Sequence, residues 1–453
     1  MTSAREKMAS TRFFIIAAIC IPYAVAFVKN QAERDDFNGK AVEFFSGQDK
    51  LASQVEVTPS PDCLEGDMLL TQEQKEVYLA MREVTAANRE RVRRNAAAAF
   101  RVWPNRTLVY QYEAGLSEIT KQVFQEAVEV YREKTNIRFL EAVEGIYTGV
   151  IQPLIVRQSG QGCFSTVGCP SQTCGGRLNL QEGRCALLGV ALHELGHALG
   201  RFHEQNRPDR DNHILVIESN ILPGYEHNFR VVNMPTVAPY DLQSVMHYST
   251  VAFSRNGYLE TIIPYNPRDK AKMGRQHMLS RLDTYTFNVA YDAYDICPAD
   301  LWDRCSRGGV PNKHCTCDCL PAFEGPFCEI VTHPTACSDY STGPSGTIYS
   351  PGYPEDYPSN TECTYVVECA DEEVIELNFP MFLVEGNNCW FDKMSMMTGD
   401  LISEVYMDEY CDDILQGNQI VTSSKTSVMV FVSDGWLNFP GFEINYRCVS
   451  ARG

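Results

Sequence analysis

One stretch of this chain has side chains of the right types, at the right spacing, to do chemistry. The run His193-Glu194-Leu195-Gly196-His197-Ala198-Leu199-Gly200-Arg201-Phe202-His203 fits the pattern H-E-x-x-H-x-x-G-x-x-H. On a helix, residues i and i+4 share a face, so His193 and His197 would point at one ion. Gly200 can adopt backbone angles that other residues avoid, which lets the helix end and swings His203 round as a third ligand. Three imidazoles with a fourth position left for water make a catalytic zinc site rather than a closed structural one. Such an ion would lower the pKa of its water from about 15.7 toward about 7 and would polarise a peptide carbonyl. Glu194, one residue on, would take the proton of the attacking water and pass it to the leaving amine. H-E-x-x-H alone recurs by chance. The longer pattern fixes five residues and leaves little room for a buried helix that merely happens to hold histidines.

The elements around this run must hold it in place. A strongly apolar helix is predicted over 187–200, a strand over 103–112, an amphipathic helix over 118–134 and a buried strand over 151–157. Helices and strands are interleaved but sparse from residue 100 to about 296, which predicts an α/β or α+β domain. Upstream, 71–94 reads as a helix, with Thr71 as cap and Val77, Met81 and Val84 at helical spacing. It ends in Arg91-Val92-Arg93-Arg94. Such a basic run is usually a solvated face. It also matches R-x-R-R, the pattern cut by secretory-pathway processing proteases. Cleavage after Arg94 would give a mature start at Asn95 and make 27–94 a propeptide. At the N-terminus, Arg5, Lys7 and Arg12 precede an apolar run from Phe13 to Phe27, and Ala24-Val25-Ala26 offers the small residues of a cleavage site. This predicts a signal peptide over 1–26 and secretion. A signal anchor is the rival reading, although the run is short for a span of about 20 residues. No other stretch is apolar and long enough to predict membrane insertion after signal removal.

Net charge is −19 over 453 residues, which argues against a nucleic-acid partner and against docking by charge on an anionic membrane. Eighteen cysteines in a secreted chain imply disulfides. Sixteen fall at Cys163 or later, in even clusters of four, six and six, so each cluster could close its own bridges. Residues 297–328 hold six cysteines in a piece too short for a hydrophobic core, so disulfides must carry it. Residues 337–448 hold six more, with alternating runs such as Val374 to Leu377 and Val428 to Val432 separated by turn signals such as Ser350-Pro351-Gly352, and read as an all-β sandwich. Of the other two, Cys20 would leave with the signal peptide and Cys63 is left over, as a thiol or as an intermolecular bridge. Asn105-Arg106-Thr107 is a glycosylation sequon at Asn105.

Ser244-Val245-Met246-His247-Tyr248, some forty residues past the zinc motif, resembles the methionine turn of the metzincins. Glu204-Gln205-Asn206-Arg207-Pro208 directly after His203, the sequence SVMHY, and Pro239-Tyr240-Asp241 before it are similar to the hallmarks of the astacin family, nematode astacins among them. The resemblance covers roughly 100–296 and implies a multidomain protein with an α+β metzincin/astacin-like catalytic domain over 95–296. It implies that Met246 lies beneath the zinc as a packing base and that Tyr248 is an extra ligand at rest, which swings away to hydrogen-bond the oxyanion. It also implies that Glu204 receives the freed N-terminus at Asn95. Leu64-Glu65-Gly66-Asp67 resembles the propeptide segment F-x-G-D, whose aspartate blocks the zinc, so Asp67 is assigned that part despite Leu64 in place of Phe. The family bridge Cys163–Cys185 is implied, with Cys169–Cys174 as a local staple. A second family bridge is not expected, because Asn136 stands where one cysteine belongs; Cys297 would then pair within the next module.

Residues 297–328 resemble an EGF-like module, with its pairing left open, and 337–448 resemble a CUB domain. Its implied bridges are Cys337–Cys363, Cys389–Cys411 and an extra Cys369–Cys448. Glu385, Asp392 and Asp434 match the acidic positions of calcium-binding CUB domains, and oxygen ligands suit Ca2+. The function implied is a secreted zinc endopeptidase acting on matrix, cuticle or egg-envelope proteins. The alternative is a catalytically inactive astacin-like binding protein, which loss of Glu194 or a zinc histidine would have favoured.

Overall fold

The computed structural model describes residues 63–451, apart from 86–87, 90, 93–95, 97–98, 144–146, 160, 184, 266–268, 271–272, 275–277, 293–296, 321, 333–334, 387–388, 390, 399–407 and 436. The segment expected to be a signal peptide and the expected cleavage point at Arg94 lie outside the described residues.

A short strand β1 (Met68–Leu69) leads into helix α1 (Gln72–Arg82). Thr71 and Gln74 close a reciprocal capping box that satisfies two otherwise orphaned amides. The helix stops at Arg82, well short of the predicted end at 94. Asn88 is the physical reason, because its side chain accepts from the Thr85 amide and donates to the Glu83 carbonyl, which turns the chain.

Strand β2 (Thr107–Tyr112) begins four residues later than the alternation predicts. Pro104 has no amide to give, and Asn105 and Arg106 take positive φ angles of 52° and 56°, so 104–106 form a turn. The remaining elements are α2 (Glu118–Lys134), β3 (Arg138–Glu141), β4 (Leu154–Arg157), β5 (Cys163–Thr166), β6 (Arg177–Leu180), α3 (Leu188–Ala198), β7 (Ile214–Val216), β8 (Ile262–Pro264) and α4 (Arg281–Ala290). Among the described residues, β1 to β6 form a six-stranded sheet in the order β1-β5-β6-β4-β2-β3. Within it β5 and β6 pair antiparallel and the other neighbours pair parallel, β1 adding itself to β5 with Met68 against Ser165.

Helices α2 and α3 pack together in the core of this domain. The Tyr131 hydroxyl donates to the Leu192 carbonyl at 2.9 Å, and Trp103 donates to the Ala198 carbonyl at 2.8 Å. Trp103, Phe124, Tyr131, Leu192, Met246 and Phe287 are all buried there. The structure pairs Cys163 with Cys185 and Cys169 with Cys174. Asn288 on α4 bonds the amide of Asn136 and the carbonyl of Lys134, so hydrogen bonds fasten the end of α2 where the second family bridge is missing.

Cys297 pairs with Cys315, Cys305 with Cys317, and Cys319 with Cys328. The small module these bridges close rests Leu320 and Phe323 on Val366, Met397 and Val428 of the C-terminal domain. Lys313 reaches the Arg132 carbonyl at the end of α2 at 2.8 Å. The C-terminal domain is a sandwich of a five-stranded and a four-stranded sheet around Phe379, Phe382, Phe431 and Phe442. Cys337–Cys363, Cys369–Cys448 and Cys389–Cys411 are closed within it.

Candidate metal centre

Helix α3 is buried along its length, so His193, Glu194 and His197 are enclosed. Gly200, at φ 100°, ends it. The Gly168 and Gly200 amides both donate to the His197 carbonyl, and the chain then turns back to bring His203 beside the pair. The rings of His193 and His197 are 4.7 Å apart, those of His197 and His203 4.7 Å, and those of His193 and His203 5.3 Å.

What faces the outer nitrogens decides which nitrogens face inward. His193 Nδ1 lies 2.7 Å from the Val245 carbonyl and His197 Nδ1 lies 2.8 Å from the Arg201 carbonyl. A carbonyl only accepts, so these Nδ1 atoms carry the hydrogen and the Nε2 lone pairs point inward. There they meet a carboxylate. Asp67 Oδ2 lies 3.2 Å from the Nε2 atoms of both His193 and His203, and Oδ1 lies 3.6 Å from His197 Nε2. His197 Nε2, Asp67 Oδ1 and Glu194 Oε2 are buried with no hydrogen-bond partner. Acceptors converging on acceptors, at separations of no more than 4.8 Å, need a cation between them. Nitrogen and carboxylate donors in this number suit Zn2+.

Burial and the neighbouring charges shift these groups in different directions. Burial opposes a charge on His203, but Asp67 and then Glu65 outweigh it and push its pKa up to about 9. Burial also raises the Asp67 carboxyl, yet the His203 charge and the close approach of the histidine rings hold it well below the usual range. Glu194 goes the other way: burial, then the Asp67 charge, raises it well above an ordinary carboxylate. That is the environment of a group that can both hold and release a proton.

The profile of the astacin peptidase family matches residues 95–292 and that of the CUB domain matches 337–446. Residues 95–292 are an astacin-family peptidase domain. It is 31% identical to Protein SpAN of Strongylocentrotus purpuratus over 399 residues, covering 86% of this chain and 63% of that one. It is 30% identical to Blastula protease 10 of Paracentrotus lividus over 395 residues, covering 85% and 64%. Among solved structures, High choriolytic enzyme 1, a hatching enzyme zinc-protease from Oryzias latipes, aligns at 30% identity with a TM-score of 0.38, covering 43% of this chain and 96% of that one. The chain spans about three fifths of the length of the curated relatives it matches.

Within the astacin domain, Met246 lies directly under α3. A Cβ on Gly196 would sit 2.5 Å from the Met246 sulfur, so the glycine is what lets the methionine turn approach the helix. The turn is fixed from α4, where Asp283 accepts from the Ser244 hydroxyl at 2.6 Å and the Val245 amide at 2.8 Å. The Tyr248 hydroxyl does not join the nitrogen cluster: it donates to the backbone carbonyl of Glu65 at 2.7 Å. The resting-ligand role expected of it is therefore not seen while Glu65 holds its hydroxyl. Glu204 is buried between Arg207 at 2.8 Å and Arg201 at 3.2 Å, and also accepts from the Asp241 amide. Its expected partner Asn95 lies outside the described residues.

Sequence reasoning missed Glu65, which is fully buried and reaches His203 Nδ1 at 3.0 Å. It occupies the variable position of the L-x-G-D segment, so only the structure marks it. Asp283 was missed as well, although Ser280-Arg281-Leu282-Asp283 is a capping box that the sequence displays. In the CUB domain, Glu385, Asp392 and Asp434 bring carboxylate oxygens within 4.8 Å of one another. Asp392 is fixed by the Tyr357 hydroxyl and the Asp434 amide, each at 2.6 Å, while Glu385 Oε2 is buried without a partner. Asn105 is exposed.

Proposed function

We propose that this chain is the precursor of a secreted zinc endopeptidase, with 27–94 as propeptide and 95–296 as catalytic domain. The observation that carries it is the convergence of three imidazole nitrogens on a buried carboxylate beside the unpartnered Glu194. His193, His197 and His203 hold the metal and Asp67 fills the place of the catalytic water until the propeptide leaves. Bound zinc supplies a Lewis acid and a water acidified toward a pKa of about 7. Glu194 accepts a proton from the attacking water and returns it to the leaving amine. Tyr248, released from Glu65, is free to hydrogen-bond the oxyanion. Met246 supports the ring cluster from below, and Glu204 receives the new N-terminus at Asn95.

The substrates are extracellular proteins of matrix, cuticle or egg envelope, a reading supported by relatives named as a blastula protease and as bone morphogenetic protein 1. Among the described residues no helix is long and apolar enough to cross a membrane. The CUB carboxylates Glu385, Asp392 and Asp434 bind Ca2+, which would partner the stranded Glu385 oxygen. Asn105, exposed in its turn, is glycosylated.

The deciding experiment is casein cleavage by protein processed at Arg94, with and without 1,10-phenanthroline. Chelator-sensitive cleavage is expected. A zinc-loaded mature protein that cuts nothing across a broad peptide library would instead favour an inactive binding protein.

A further inference from the structure

The three histidines are not held alike. The outer nitrogens of His193 and His197 bond to carbonyls of Val245 and Arg201, both within the astacin domain. The outer nitrogen of His203 bonds to Glu65 Oε2 at 3.0 Å, and Glu65 stands two residues before Asp67 in the propeptide. The other Glu65 oxygen accepts from the Tyr78 hydroxyl at 2.6 Å and from Arg82 at 2.7 Å, both on α1. Asn206 adds a longer bond at 3.4 Å, and Arg82 is itself tied to the His227 carbonyl at 3.0 Å. Unpaired, a buried carboxylate would be costly; this one has a charge partner and a full set of donors.

Backbone geometry serves the same end. Glu65 and Gly66 both take positive φ, 54° and 90°, an unusual conformation for a glutamate. The resulting turn presents the Glu65 side chain to His203, the Glu65 carbonyl to Tyr248 and the Asp67 carboxylate to all three inner nitrogens.

We propose that Glu65 is a positioning residue for His203, so that the propeptide grips the metal site twice: Asp67 from the inside and Glu65 from behind the third ligand. The proposal rests on the zinc reading above. Carboxylate partners of metal-ligating histidines fix the ring orientation and raise ligand basicity, and their loss typically lowers metal affinity by about 10- to 100-fold. Removal of the propeptide then does more than uncover the site. It takes away the outer partner of one ligand while the other two keep theirs, and the precursor holds its metal more tightly than Asp67 alone accounts for.

The test measures zinc Kd by chelator competition, alongside Tm, on full-length precursors carrying Arg94→Ala to block processing. Glu65→Gln is expected to raise the zinc Kd by about tenfold or more. Tyr78→Phe, which loosens α1 but leaves the His203 contact, is expected to lower Tm without a comparable change in Kd. A second comparison covers the case in which Glu65→Gln misfolds. With Tyr248→Phe in both proteins, an Asp67→Ala precursor is expected to bind zinc more tightly than the mature enzyme, because only the precursor keeps Glu65. A Glu65→Gln precursor with unchanged Kd, a Tyr78→Phe precursor that loses zinc as readily, or equal affinities in the second comparison would overturn the proposal and leave the zinc site standing. A wild-type precursor that takes up no stoichiometric zinc would sink the zinc reading itself.

Discussion

The Tyr248 hydroxyl donates to the Glu65 carbonyl at 2.7 Å, so the backbone just before Asp67 holds a side chain of the methionine turn. The bond ties a residue expected to act in the mature enzyme to a segment that leaves first under the proposed function. Tyr248→Phe is expected to leave the precursor folded, at a cost of about 1 kcal/mol for one hydrogen bond. After processing, kcat is expected to fall roughly 10²-fold, the size of a lost oxyanion donor, with little change in KM. Steady-state kinetics on a fluorogenic peptide decide it. Unchanged kcat would leave Tyr248 a packing residue, as its burial against Phe229 and Phe253 allows.

Asp67 should set latency. It faces all three inner nitrogens, and a buried charged contact there is taken to be of the same order as a charge-assisted hydrogen bond, about 1.5–3 kcal/mol. Its removal therefore corresponds to roughly a ten- to hundredfold rise in the accessible fraction of the site. Asp67→Ala, combined with Arg94→Ala, is expected to give an uncut precursor that cleaves peptide faster than its Asp67 counterpart by that factor. Equal rates would mean that β1 and α1 block the cleft sterically and that the aspartate is incidental.

Why Asp67 was legible and Glu65 was not follows from what each position depends on. His193, His197, Gly200 and His203 lie within eleven residues, so helix periodicity and one glycine nearly determine their geometry. Asp67 came through its resemblance to a short motif. Glu65 acquires meaning only by meeting His203, 138 positions away, and nothing local distinguishes it from a solvated glutamate. Asp283 is intermediate: its capping of α4 is written in the sequence, but its bond to the Val245 amide depends on how α4 lies beside the methionine turn. The misjudged elements failed locally. The helical period persists past Arg82, where the Asn88 side chain breaks it, and the alternation from Trp103 runs through a proline turn.

Glu194→Gln should separate binding from catalysis. Glu194 makes no contact that the histidines need, and its Oε2 has no partner to lose. The variant is expected to keep stoichiometric zinc while kcat falls about 10²- to 10⁴-fold, the usual contribution of a positioned acid–base group. Metal analysis and peptide kinetics on the same sample provide the check. Retained turnover would refute its role as the base.

Asp241 makes stability fall as pH rises. Burial, then the charges of Asp283 and Glu204, push its pKa up to about 8, while the Ser280 hydroxyl and the Gln243 amide bond to it. An unfolded aspartate ionises near 3.9. Between about pH 4 and about pH 8 the folded chain therefore holds a proton that the unfolded chain has released. The unfolded state binds fewer protons, so stability declines across that window, by on the order of a few kcal/mol for a group shifted this far. Asp241→Asn keeps an oxygen for Ser280 but cannot ionise. Its Tm is expected to drop less than the wild-type Tm between pH 5 and pH 8. Thermal melts at the two pH values test this directly, and parallel curves for the two proteins would show that Asp241 does not stay protonated in the fold.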